Sequence, residues 1–167
     1  MEAVQALSVA DFILNSLEKG PVCLSKSLHE SSVVLAFFRT TCPACQLLFP
    51  YLERIHDYYP IQRIYGISQD AEATTREFAA RYAVEFPVLL DESCYVSEEF
   101  GIDVVPTILW VEADMSVGFF SSGFSKKDLN LLGSRIVKRY RQEPIQIAAP
   151  DDGAPLIKLG SSSKRPS

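Results

Sequence analysis

A chain of 167 residues that is 47% hydrophobic and 22% charged has the composition of one globular domain with a full core, which excludes disordered and fibrous classes. Its net charge of −5 argues against general nucleic-acid binding, which needs clustered Lys and Arg to meet phosphates. Four cysteines are too few for a disulfide-stapled secreted scaffold, and no apolar run approaches the roughly 18 residues of a membrane-spanning helix.

Met1-Glu2-Ala3-Val4-Gln5 lacks the basic stretch of an export signal. The expected compartment is therefore the reducing cytosol, or an extracytoplasmic one if a leader has been removed. Further on, Ser8 as a cap, Val9, Phe12, Ile13 and Leu17 at helical spacing, and a Gly20-Pro21 stop predict an amphipathic helix over 8–20. Pro21 to Leu24 reads as a short strand, and Ser25 to Glu30 as a polar stretch with a single helical turn. The run Val33-Val34-Leu35-Ala36-Phe37-Phe38 reads as a strand buried on both faces.

Cys42-Pro43-Ala44-Cys45 follows that strand at once and opens a strongly apolar helix to about Tyr59. A thiol in the first helical turn meets unpaired backbone N–H groups and the positive end of the dipole, which favour a thiolate. The second thiol lies one turn on, within reach to close a disulfide. Pro50 sits inside this helix and is expected to kink it. Ile61 to Ile67 predicts a second strand, and Asp70 is expected to cap a helix from Ala71 to about Tyr82.

Phe86 to Leu90 is a brief apolar segment, and Cys94 to Phe100 a short helix ending at Gly101. Thr107 to Val111 and the stretch from Met115 onward predict a hairpin joined by Glu112-Ala113-Asp114. Ser125 caps a last helix to about Tyr140, where Arg135, Lys138, Arg139 and Arg141 suit the negative end of the dipole. The organisation expected is a domain over 1–140 and a Pro/Gly/Ser-rich tail over 141–167, flexible or draped over the domain, with Pro155 to Leu159 as a local anchor. The element order implies an α/β sandwich with a mixed central sheet and helices on both faces.

A strand, a CxxC at a helix start, Pro50 five residues past Cys45, and Val104-Val105-Pro106-Thr107 before a strand resemble the thioredoxin fold. Tyr65-Gly66-Ile67-Ser68-Gln69-Asp70 and Phe86-Pro87-Val88-Leu89-Leu90-Asp91-Glu92 resemble its TlpA/ResA-like redoxin branch, which overlaps the AhpC/TSA group. The resemblance spans roughly Ser25 to Tyr140. It implies a thioredoxin-like three-layer sandwich and a thiol–disulfide oxidoreductase. Cys42 is then the exposed nucleophile, Pro43 and Ala44 tune the motif, and Cys45 is the buried resolving thiol. The partner-binding residues are Val105, a cis Pro106 and Thr41, with Val105 lending its backbone to a bound strand. The expected partners are a disulfide-bearing protein and a thiol donor, with no nucleic acid, no membrane and no cofactor.

Two departures stand out. The acid that redoxins place near the resolving thiol falls here on Ala36 or Leu48, both apolar, so Glu85 or Asp91 becomes the candidate for proton transfer. The peroxidase frame Pro-x-x-x-Thr-x-x-Cys is also missing, since Arg39 or Cys42 stands at the Thr position. A thiol peroxidase using Arg39, Thr40 or Thr41 is one alternative, and a non-catalytic thioredoxin-like binding module is another. A zinc site would need Cys23, Cys94, His29 or His56 as further ligands, and none has a ligand-like spacing. Cys23 and Cys94 are expected to be small buried hydrophobes, His29 and His56 surface residues, and Trp110 core.

Overall fold

The computed structural model describes residues 8–165. Its centre is a seven-stranded sheet built from β1 (Ile13–Ser16), β2 (Gly20–Cys23), β3 (Val33–Phe38), β4 (Arg63–Ser68), β5 (Val88–Leu90), β7 (Thr107–Val111) and β8 (Val117–Ser122). The spatial order is β2-β1-β5-β4-β3-β7-β8. The three middle strands β5, β4 and β3 run parallel to one another, and the flanking pairs are antiparallel. All six residues of β3 are buried, as its unbroken apolar run predicts for a central strand covered on both faces.

The helices are α1 (Leu24–Leu28), α2 (Pro43–Tyr58), α3 (Glu72–Arg81), α4 (Tyr95–Glu99) and α5 (Lys126–Tyr140). Alternation along β3 sorts them into two layers. Phe38 points to α2 and α3, where its ring lies 4.5 Å from Phe49 and 4.9 Å from Phe78. Trp110, paired with Val34 on that same face, carries Arg135 of α5 over its ring at 5.3 Å. Phe37 points the other way, 5.7 Å from Phe100 just past α4. Tyr65, paired with Leu35 on this second face, meets Ser27 of α1 at 2.7 Å. The result is the three-layer α/β/α sandwich expected. Gly66 sits under the aromatic cluster, where a Cβ would lie 3.3 Å from Phe38 and 3.6 Å from Phe49.

The expected helix over 8–20 is not formed. That stretch is instead the β1–β2 hairpin, with Ile13 facing Cys23 and Ser16 facing Gly20. Tertiary pairing overrides the helical spacing: Ser16 pairs with Leu89, and Leu17 N–H donates to the Val88 carbonyl at 3.0 Å. Ile13, expected on the buried stripe, is 68% exposed. Gly20 adopts φ +73° where the hairpin turns back, so it shapes a turn rather than stopping a helix.

Two other expectations shift, those for Asp70 and Cys23. Asp70 does not cap α3, whose N-cap is Ala71 with no side-chain bond. Its carboxylate instead accepts the Thr40 N–H at 2.7 Å, tying the loop before Cys42 to the end of β4. Helix α2 runs through Pro50, whose missing N–H leaves the Gln46 carbonyl without its intrahelical donor. Cys23 is half-buried among polar groups, with its sulfur 3.2 Å from the Ser25 hydroxyl and 3.7 Å from Asp11.

The segment after α5 takes the draped alternative. Tyr59 Oη donates to the Glu143 carbonyl at 2.8 Å, Ile147 and Ala148 are buried, and Asn130 brackets Ala148 with two hydrogen bonds. Lys126, almost wholly buried, donates to the Ala149 carbonyl at 2.8 Å and to Asp152 at 2.6 Å. Further on, β10 (Ile157–Lys158) pairs with β9 (Phe124–Ser125), and β11 (Ser161–Ser162) pairs with β6 (Val104–Val105). The expected apolar anchor at Pro155–Leu159 works through backbone alone: Leu156, Ile157 and Leu159 are 61%, 67% and 87% exposed.

Candidate active site

The site forms where β3 ends and α2 begins. Cys42 is the N-cap of α2 with extended backbone, and Pro43 occupies a first-turn position where its missing N–H does no harm. The Cys42 sulfur accepts the Cys45 N–H at 3.3 Å. On its other side lies the Val105 carbonyl, 3.5 Å away, to which the thiol donates while protonated. The Val105–Pro106 peptide is cis, as expected. Thr107 Oγ1 donates to the Val104 carbonyl at 2.6 Å, which closes the loop around that peptide.

The two sulfurs differ sharply. The Cys42 thiol is pulled down to about 5, chiefly because the Cys45 thiol donates a hydrogen bond to it; burial opposes this, and Ser161 supports it through its hydroxyl and N–H. Cys45 is wholly buried and pushed well above the ordinary cysteine range, first by burial, then by its bond to Cys42 and the nearby Cys42 charge. The Arg39 backbone and guanidinium charge pull the other way. One sulfur is thus poised as a thiolate at neutral pH, and the other holds its proton.

Cys42 is 1% exposed, not open as the sequence implies. Strand β11 lies alongside it, with Ser161 in register with Val105. Thr41 and Pro43 remain exposed beside it, and Ala44 is buried. No apolar periodicity in the sequence marks this roof. The only sequence signal is Gly160 ahead of three serines, which reads equally well as a loose terminus.

Neither acid proposed for proton transfer sits at Cys45. Glu85 clusters with Glu53 and Asp57 of α2, and Glu53 is eight residues beyond Cys45, about 12 Å along a helix axis. Asp91 is buried, but both its oxygens are committed to the start of α4, accepting from Val96 N–H at 3.1 Å and from the Ser97 N–H and hydroxyl at 2.8 and 2.7 Å. Ala36 and Leu48, the two positions where the sequence resemblance would put an acid, are buried apolar side chains. Cys94 is buried at the left-handed N-cap of α4, and burial raises its thiol pKa. His29 is exposed, and His56 is half-buried with its ring edge-on to Phe86 at 6.0 Å.

The sheet order, the CxxC at a helix N-terminus and the facing cis-proline loop define a thioredoxin-fold protein. The AhpC/TSA family matches residues 7–119, and the chain belongs to that family. Among curated relatives, the thiol-disulfide oxidoreductase ResA of Halalkalibacterium halodurans is 31% identical over 104 residues, covering 60% of this chain and 58% of that protein. The chain thus spans less than two thirds of the length of that relative. Solved structures share the fold as well. A putative thiol:disulfide interchange protein DsbE from Chlorobium tepidum matches with TM-score 0.72 and 24% identity, over 78% of this chain and 94% of that one. Peroxidoxin BcpB from Mycobacterium tuberculosis matches with TM-score 0.66 and 22% identity, over 81% and 94%.

Proposed function

We propose that this protein is a thiol–disulfide oxidoreductase whose Cys42–Cys45 pair exchanges electrons with a disulfide-bearing protein partner and a thiol donor. The observation that carries this reading is the split between the two sulfurs, Cys42 favoured as a thiolate at the helix N-cap and Cys45 buried with its proton.

The Cys42 thiolate attacks one sulfur of the partner disulfide. That S–S bond breaks, a mixed disulfide forms, and the partner's other sulfur leaves as a thiolate that takes up a proton. Cys45 then gives up its proton and attacks the Cys42 sulfur. The Cys42–Cys45 disulfide forms as the second partner thiol departs. Two electrons have passed to the partner, and a thiol donor returns them by the reverse sequence. Among the described residues no carboxylate stands ready to take the Cys45 proton, so water accepts it and the second step is the slower one.

The alternative of a thiol peroxidase gains little from the site. The Thr position of the peroxidase frame holds Arg39 or Cys42, so the Thr40 hydroxyl, buried without a hydrogen-bond partner, lies outside that frame, and an Arg39 guanidinium nitrogen is engaged with the tail. A disulfide substrate offered to Cys45→Ser should accumulate as a mixed disulfide on Cys42, visible by mass. A Cys45→Ser chain that never traps one would overturn the exchange reading.

A further inference from the structure

The groove that receives a partner strand in the proposed exchange already has an occupant. Residues Gly160–Ser163 run antiparallel along β6, with Ser161 in register with Val105 and Ser162 with Val104. Three separate elements clamp this stretch. Asp103 of the β6 loop accepts the Ser163 N–H at 2.9 Å, and Arg39 at the end of β3 donates to the Ser162 carbonyl at 3.2 Å. At the end of β4, Gln69 donates to the Ser163 hydroxyl at 2.6 Å and accepts the Lys164 N–H at 2.8 Å. The tail and β6 form a two-stranded ladder of their own, held by the same backbone pairing by which extended peptides are bound.

Two details fit the segment to the place. Gly160 passes so close to β6 that a Cβ would collide with the Val105 carbonyl oxygen and lie 2.7 Å from Val104. Ser161 then stands in register with Val105, whose carbonyl lies 3.5 Å from the Cys42 sulfur. Serine has the shape of cysteine with oxygen in place of sulfur, so it sits where a partner's disulfide sulfur would be presented but cannot exchange. The strap is also built to leave. It is two residues of ladder held by polar bonds, and the neighbouring Leu159 is 87% exposed and contributes almost no burial.

We propose that Gly160–Ser163 is a built-in pseudosubstrate strap that covers Cys42 and is displaced by an extended, disulfide-bearing segment pairing with Val104–Val105. This rests on the exchange reading of Cys42 and adds a gate to it. An incoming segment must compete with the strap, so weak encounters leave the thiolate covered. Reactivity at Cys42 then scales with the fraction of molecules whose strap is open.

The test is the alkylation rate of Cys42 in the reduced full-length protein, followed by mass mapping with iodoacetamide. Gly160→Ala, which cannot keep its approach to Val105, should alkylate roughly tenfold faster or more than the native chain. A second variant guards against a folding defect. Ser161→Cys in a Cys45→Ser background should form an intramolecular disulfide between the introduced thiol and Cys42 under mild oxidation. Equal alkylation rates in native and Gly160→Ala chains, or no such disulfide, would overturn the strap. The exchange reading stands apart from that result: it is judged by whether native Cys42 and Cys45 pair on oxidation, which either variant result leaves unaffected.

Discussion

Cys42 is held from two sides, and the two sides are built differently. Beneath it, β3 and α2 are fixed by apolar burial: Val33 to Phe38, Leu48, Phe49, Leu52 and Ile55 are all at most 1% exposed. Above it, the tail beyond the buried Ile147 and Ala148 is fixed by hydrogen bonds to backbone and polar side chains, with one ion pair between the buried Lys126 and the exposed Asp152. A buried large apolar side chain contributes about 1.5–3 kcal/mol, against roughly 0.5–1.5 kcal/mol net for an ordinary hydrogen bond. The lower side positions the thiolate permanently. The upper side can open without loosening the core, which is what allows access to be controlled apart from stability.

The sharpest way to break this comparison is at the sulfur itself. Cys42→Ser should abolish disulfide exchange altogether in a coupled thiol-release assay, while leaving thermal unfolding near native. Next comes the lower side. Phe49→Ala removes a ring packed against Phe38, Phe78 and Phe86, and should destabilise the fold by about 3–5 kcal/mol in urea denaturation. A loss under about 1 kcal/mol would mean the cluster does not hold α2 as described.

The upper side should respond more mildly. Lys126→Ala leaves Asp152 and the Ala149 carbonyl without their ammonium partner, and should lower stability by about 2 kcal/mol. Asp152 is held down to about 2, first by the Lys126 hydrogen bond and then by Tyr51. A depressed carboxylate contributes stability above its ordinary range and loses it as pH falls, so this anchor should hold at neutral pH and weaken as pH drops from about 4 towards 2. Tail release on acidification, read by backbone amide exchange at Ile157–Ser163, checks that sign.

A pH series separates the two thiols. With Cys42 down at about 5, its attack on a disulfide should be nearly flat from pH 6 to 8. Resolution through Cys45, whose thiol is raised by burial, should instead climb about tenfold per pH unit over the same range. Stopped-flow measurement of both phases would tell; a flat second phase would mean that some group does take the Cys45 proton.

Much of the lower side was legible in the sequence. The apolar run of β3, the CxxC directly after it and the Val-Val-Pro-Thr loop have strong local signals, because burial and turn chemistry are written in adjacent residues. Ser125 likewise caps α5 as read, accepting the Asp128 N–H at 3.1 Å. What failed depends on distant pairing. Phe12 to Leu17 reads as a helix until β5 supplies Ser16 with a partner, and Asp70 reads as a cap until Thr40 comes within reach. The tail was the least legible, since its Gly-Ser chain carries no periodicity and its order comes from partners up to 123 positions away.

The most direct test of the central claim is thiol mapping by mass after equilibration across glutathione poises. The account predicts one disulfide, between Cys42 and Cys45, with a midpoint inside the roughly −270 to −120 mV range spanned by CxxC proteins. No Cys42–Cys45 disulfide at any poise, or one that pairs Cys42 with Cys94 or Cys23 instead, would contradict it.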